Sequence, residues 1–246
     1  MTRSDDAFGL AIHDWARGSC LVETIERDDG YGEAGAGPEV YLSGIRGWPA
    51  AERMALRLFR GRVVDVGCGA GRVALHLQQR GFDVVGLDAS LLAARAARTL
   101  GVKKVWRASL EDLGPRVADF DTIVLFGNNF GLFGTPDRAR QILTEWSRLA
   151  TPIARVFAES TSAYFGGAPG MNRPYYRRNV ERGVAPGQAR LRYRYGDAVG
   201  AWFDWLYVTP HEMRLLLRGT GWHQARVFRT RLSEPYVAML EKDRLP

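Results

Sequence analysis

The residues 63–72 read Val63-Val64-Asp65-Val66-Gly67-Cys68-Gly69-Ala70-Gly71-Arg72, a β-branched run that stops at three alternating glycines. A short β-branched run suits a buried strand. Glycines after it permit a tight turn and a close approach of backbone to ligand. The free N–H groups at the start of a following helix favour polar or negative ligand groups. A strand that feeds a helix through such a turn is a unit of an open α/β sheet, so this segment limits the fold more than any other.

The middle of the chain repeats the alternation. Strands are expected at 62–66, 83–87, 103–107, 121–126 and 153–158. Helices are expected at 72–80, with Val73, Ala74 and Leu77 facing inward, and from Ser90 to Leu100, with Ser90 as cap and Gly101 as stop. Thr135-Pro136-Asp137 opens another, with proline at the first helical position. The sheet should therefore be largely parallel. Residues 1–60 read as an N-terminal helical cap, with a helix at 7–17, a Gly-rich loop at 28–38 and helical spacing at 48–59. After the fifth strand the pattern breaks. Residues 161–200 are rich in Gly, Pro, Tyr and Arg, and 191–195 with 201–208 suggest a hairpin. Thr209-Pro210 starts a helix to about 218, and 225–229 and 236–240 close the chain as strands. The 246 residues read as a single domain: cap 1–60, core 61–160, inserted lid 161–208, and a C-terminal part 209–246.

Composition excludes several classes. No apolar run reaches the length of a membrane span, and residues 1–10 carry Asp5 and Asp6 rather than a leader's apolar stretch. A cytoplasmic protein without membrane attachment is the expectation. Two cysteines, Cys20 and Cys68, make neither a disulfide framework nor a zinc cluster, and the four histidines are scattered. No metal site is expected. The net charge of +7 comes from 34 basic residues of which only three are lysine, and by itself it does not identify a partner.

Three details sharpen the Gly-rich turn. A dinucleotide fingerprint wants its third glycine at position 72, which is Arg72. Asp65 stands two residues before the first glycine, where a carboxylate repels a pyrophosphate but suits an ammonium. Asp88 ends the second strand, where an acid can accept both hydroxyls of a ribose. A ligand with an amino group and a ribose but no phosphate is S-adenosylmethionine. At this point the chain resembles the class I S-adenosylmethionine-dependent methyltransferases. The matching positions are Asp65 to Gly71, Asp88, the run Ala108-Ser109-Leu110-Glu111, and the fourth-strand segment from Phe120 to Phe130. The resemblance implies a Rossmann-like three-layer α/β sandwich with a seven-stranded, mostly parallel sheet and an antiparallel last strand. It implies Asp65, Gly67, Cys68 and Gly69 beside the methionine moiety. Asp88 would hold the ribose, Ala89 would lie at the adenine, and Ser109, Leu110 and Glu111 would edge the adenine. Phe126 and Asn128 complete the implied cofactor set.

The acceptor is less constrained. Gly127-Asn128-Asn129-Phe130-Gly131 carries no proline after asparagine, which departs from the amino-group DNA methyltransferases. Glu159, Asp204 and His211 are candidate bases. Cys68 between motif glycines reads as a small turn residue rather than a nucleophile. Tyr41, Trp48, Asn129, Phe130 and Trp202 are candidate pocket residues, with Phe165, Tyr175, Tyr176, Phe203 and Trp205 as further aromatic walls. Residues 171–194 hold seven arginines against Glu181 alone, with Tyr175, Tyr176 and Tyr193 interleaved. That mixture suits a phosphorylated or carboxylated small molecule or single-stranded RNA. The leading expectation is a small substrate, aromatic or acidic. RNA or protein methylation and non-catalytic cofactor binding are the alternatives. Oligomeric state is not legible.

Overall fold

β-Branched runs alternating with capped helices build the observed elements in the computed structural model, which describes residues 6–162, 169–231 and 235–243. In chain order they are α1 (Ala7–Trp15), β1 (Thr24–Arg27), β2 (Gly32–Ala34), α2 (Gly37–Tyr41), α3 (Ala50–Ala55), β3 (Val63–Val66), α4 (Arg72–Gln79) and β4 (Val84–Asp88). Then come α5 (Leu91–Thr99), β5 (Val105–Arg107), α6 (Leu110–Leu113), β6 (Thr122–Leu125), α7 (Pro136–Leu149) and β7 (Arg155–Ser160). The chain continues with α8 (Pro169–Glu181), β8 (Gln188–Tyr195), β9 (Ala198–Val199), β10 (Phe203–Leu206), α9 (Pro210–Leu216), β11 (Trp222–Phe228) and β12 (Tyr236–Lys242). The expected caps form: Ser90 Oγ accepts the Ala93 N–H, Thr135 Oγ1 accepts the Arg138 N–H, and Thr209 with Glu212 makes a reciprocal capping box.

The seven-stranded sheet runs β11-β12-β7-β6-β3-β4-β5. Neighbours β4/β5 and β6/β7 are parallel, whereas β12 runs antiparallel to both β7 and β11. The mostly parallel sheet with an antiparallel last strand is the architecture that the motifs implied.

Two expectations are corrected. The N-terminal cap is not wholly helical, because β1 and β2 lie within it, and β2 falls inside the stretch read as a loop. They join the expected hairpin in a second sheet of order β10-β8-β1-β2, with β9 paired to β8. Strands this short carry too few residues for a period-two signal; cross-strand pairing makes them. Residues 169–181 form a helix despite Pro174 inside it. Its buried Asn172, Tyr175, Tyr176 and Asn179 recur at helical spacing, and Asn179 Nδ2 donates to the carbonyls of Pro186 and Gln188.

The chain divides into two compact units. The first comprises Met1–Trp48, Val64–Ser109 and Arg190–Phe203. Its core joins Ala7, Ala11, Ile12 and Trp15 of α1 to Ala93 and Ala96 of α5, Ala70 and Tyr195. Small residues on both helices allow a close approach. The second comprises Pro49–Val63, Leu110–Ala189 and Asp204–Pro246, with Phe120, Phe130, Phe133, Trp146, Phe157 and Trp222 wholly buried.

Candidate functional site

In the first unit the Gly-rich turn is built as its sequence requires. Gly67, Gly69 and Gly71 all take left-handed φ values of 69°, 53° and 83°. A β-carbon on Gly71 would come within 2.5 Å of Val102 Cγ2, so glycine is needed there twice over. Asp65 is buried, and its Oδ2 accepts the Ala74 N–H at 3.2 Å. The carboxylate thus satisfies an orphan donor in the first turn of α4 and braces the turn from beneath. Cys68 is buried, and burial pushes its thiol well above the usual range. A thiol held neutral and enclosed is a turn residue, not a nucleophile.

Asp88 closes β4 beside the same turn. Its Oδ2 accepts the Gly69 N–H at 2.9 Å, and its Oδ1 accepts the Ser90 N–H at 2.9 Å. Burial pushes its carboxyl up to about 6, with a further upward push from Asp6. Ser90 Oγ donates to Asp6 Oδ2 at 2.6 Å, and Asp6 Oδ1 caps α1 through the Gly9 N–H at 2.9 Å. A hydrogen-bonded chain therefore runs from the cap helix α1 through Asp6, Ser90 and Asp88 to Gly69. The sequence reading missed this link. Its signal was Asp6 three residues before Gly9, an N-cap spacing. Ala89 is exposed and Ser109 half-buried.

The same unit holds most of the aromatic candidates. Tyr41 stacks on Trp15 at 5.4 Å and meets Phe8 edge-on at 5.3 Å. Phe8 stacks on Tyr193 at 4.5 Å, and Tyr193 on Phe203 at 5.6 Å. Phe8, Tyr41, Tyr193 and Phe203 all stay half-buried. Trp48 is buried, with the Arg72 guanidinium 4.7 Å over its ring. Trp202 is exposed, and Arg192 lies 4.5 Å over it. Arg192 and Arg194 both bind Glu26 across the β1/β8 pair, and the Arg192 hydrogen bond holds that carboxylate below its usual range.

In the second unit, Glu159 of β7 is buried and its Oε2 accepts the Gly127 N–H at 2.7 Å. Gly127 and Asn128 follow one another in left-handed conformation, at φ 72° and 65°. Asn128 is the one non-glycine residue with positive φ among the described residues. Its Oδ1 is buried without a hydrogen-bond partner. Asn129 is half-buried, whereas Phe126 and Phe130 are buried, Phe130 edge-on to Phe133 at 5.0 Å. Leu110 is buried, and the exposed Glu111 carboxylate is bound by Arg138 at 2.5 Å. Asp204 and His211 are exposed. Tyr175 and Tyr176 are buried against each other at 5.7 Å. Phe165 lies outside the described residues. Among the described residues no cluster of His, Cys, Asp or Glu is suited to a metal ion, and no helix is long and apolar enough to cross a membrane.

Several known proteins are similar to this chain. Residues 63–152 match the family described as a methyltransferase domain. A methyltransferase of Bacteroides fragilis, solved with S-adenosyl-L-homocysteine, is 23% identical with a TM-score of 0.79, over 98% of this chain and 97% of that one. A Methanosarcina mazei methyltransferase is 19% identical over 79% of this chain and 99% of its own, with a TM-score of 0.61. The CcbJ methyltransferase of Streptomyces caelestis is 14% identical over 82% and 99%, with a TM-score of 0.59.

Proposed function

We propose that this chain, whose residues 63–152 match a methyltransferase domain, is a class I S-adenosylmethionine-dependent methyltransferase that methylates a small molecule with a flat, aromatic-compatible body. The residues present fit the cofactor. Three left-handed glycines open backbone to a ligand, and Asp65 and Asp88 stand near the ends of β3 and β4. Asp65, Gly67, Cys68 and Gly69 would flank the methionine moiety. Asp88 would accept from the ribose, with Ala89, Ser109, Leu110 and Glu111 around the adenine and Phe126 beside them. When bound, the cofactor would supply an activated methyl group to the acceptor's lone pair and leave as S-adenosylhomocysteine. The protein's share is to hold two reactants in line and to exclude water.

The observation that carries the small-substrate reading is the aromatic array Tyr41-Phe8-Tyr193-Phe203. Half-buried stacked rings suit a flat acceptor. The arginines of 171–194 favour RNA less than their number suggests, because Arg192 and Arg194 are engaged by Glu26 and Arg177 faces Glu181 at 3.8 Å. The test incubates the protein with S-adenosylmethionine and either small aromatic acceptors or total cellular RNA, and reads methyl transfer by mass spectrometry. Product is expected with the small acceptors, at a rate insensitive to salt. Product confined to the RNA arm, falling steeply between 50 and 200 mM salt, on the order of a thousandfold for a protein with several phosphate contacts, overturns the reading.

A further inference from the structure

Glu23, the residue before β1, is wholly buried, and the fold makes room for it. A β-carbon on Gly35 would come within 2.0 Å of Glu23 Oε1, and one on Gly37 within 3.2 Å of the neighbouring Val22. The Gly35 N–H donates to the Glu23 carbonyl at 2.7 Å, so residues 35–37 are laid directly over this side chain. Burial lifts the carboxyl above its ordinary range, against smaller opposite pushes from the N–H groups of Glu23 itself, Gly37 and Ala36. None of these N–H groups reaches hydrogen-bonding geometry: among the described residues, both carboxylate oxygens are buried and without a partner.

Other acids of the same region do have cations. Arg27 binds Asp29, and Arg192 and Arg194 bind Glu26. A buried carboxylate with neither cation nor donor is among the costlier groups a fold can keep. The group that offsets it best is a donor that carries positive charge. The aromatic array stands beside this acid. Tyr41 is close enough that the Glu23 charge, after burial, pushes its phenol up. Tyr41 leads to Phe8, and Phe8 stacks on Tyr193, all three half-buried. Ring faces next to a carboxylate suit an organic ammonium: the faces attract the cation, and the carboxylate accepts its N–H groups. A neutral flat molecule would use the rings and leave the carboxylate unpaired.

We propose that Glu23, with the rings of Tyr41, Phe8 and Tyr193, binds an ammonium group of the substrate, which makes the flat acceptor a basic amine with an aromatic body. An ammonium has no lone pair and so takes no methyl itself. It is the handle by which the molecule is held, and the methylated atom lies elsewhere on the substrate. The inference rests on the small-substrate reading above, and its tests separate the two.

The probes are tyramine and two counterparts with the same ring and chain, one ending in a methyl and one in a carboxylate in place of the ammonium. Each is titrated calorimetrically into the protein saturated with S-adenosylhomocysteine. Tyramine should bind about 30-fold more tightly than the methyl counterpart, the size of hydrogen bonds to a charged group, and the carboxylate should bind most weakly. Equal affinities, or a preference for the carboxylate, overturn the proposal. Glu23→Gln keeps the shape and removes the charge. In that variant tyramine should bind no better than the methyl counterpart, whose own affinity should stay within about threefold of its value in the parent. Without ligand, Glu23→Gln should melt at the parent's temperature or a few degrees higher, because an uncompensated buried charge is gone. A fall of more than about 4 °C would mean that the carboxylate serves the fold, and overturns the proposal. The affinity of Glu23→Gln for S-adenosylhomocysteine should be unchanged; a loss of about tenfold or more assigns Glu23 to the cofactor's own amino group and also overturns it. Binding of none of the three probes defeats the small-substrate reading, while the melting and cofactor titrations still decide Glu23.

Discussion

Two turns in this protein share one construction and differ in what they expose. After β3, the Gly69 N–H is held by Asp88 at 2.9 Å; after β6, the Gly127 N–H is held by Glu159 at 2.7 Å. In each case a buried or half-buried acid at the end of a strand fixes a left-handed glycine. The first turn then continues with glycine at every left-handed position, so backbone is what it offers. The second continues with Asn128, so it offers a side chain.

The sharpest way to break this comparison is to remove each acid. Asp88→Ala should lower S-adenosylhomocysteine affinity about 30-fold, on the order of 2 kcal/mol for hydrogen bonds to a charged group, as read by calorimetry. Glu159→Ala should leave that affinity within about threefold and lower the melting temperature instead, because it strands a backbone N–H at a cost of about 1–3 kcal/mol. Equal effects on affinity would mean that the turns have one role. The glycine contrast tests the same comparison through stability alone. Gly71→Ala meets both a forbidden φ and Val102, and should cost about 2–4 kcal/mol of stability. Gly127→Ala meets the φ alone, with nothing within 4 Å of the new β-carbon, and should cost about 1–2 kcal/mol. Chemical denaturation of the two variants checks the order.

The third effect is smaller and depends on pH. Asp88 has a folded pKa near 6, above its unfolded value, so the folded state holds its proton more tightly. The stability tied to that proton is fully present below about pH 4 and is lost as pH rises through about 6. The melting temperature of Asp88→Asn should lack this part of the decline, and parallel curves for parent and variant between pH 4 and 7 would refute the assignment. Cofactor affinity should move the opposite way, since the ionised carboxylate is the better acceptor for ribose hydroxyls. The smallest effect concerns neither turn. Arg177→Ala with Arg178→Ala should leave small-acceptor turnover within about twofold, because both side chains lie exposed on α8.

Much of the first turn was legible before any coordinates. Glycine at 67, 69 and 71, acids at 65 and 88, and Ser90 as a helix cap are local requirements: a left-handed φ, an orphan N–H, a strand end. Residues near in sequence meet them, so they leave a pattern. The second turn was half legible. Asn128 and Glu159 stood out as candidates, but their relation did not, because 32 residues separate the acid from the glycine it holds. Arg138 was not singled out at all, since an arginine in the first turn of a helix looks like any solvated charge until Leu132, Phe133 and Glu111 are seen around it. The second sheet was hidden for a similar reason. β1 and β2 are four and three residues long, too short for periodicity; β1 exists through pairing with β8 more than 160 residues away, and β2 through pairing with β1. Sequence alone determined the parallel α/β core and the Gly-rich turn, because backbone geometry and capping act over a few residues. Tertiary structure decided which acid holds which glycine, which rings stack on β8, and which amide oxygen is left without a partner, because those are distances between segments that the chain brings together only on folding.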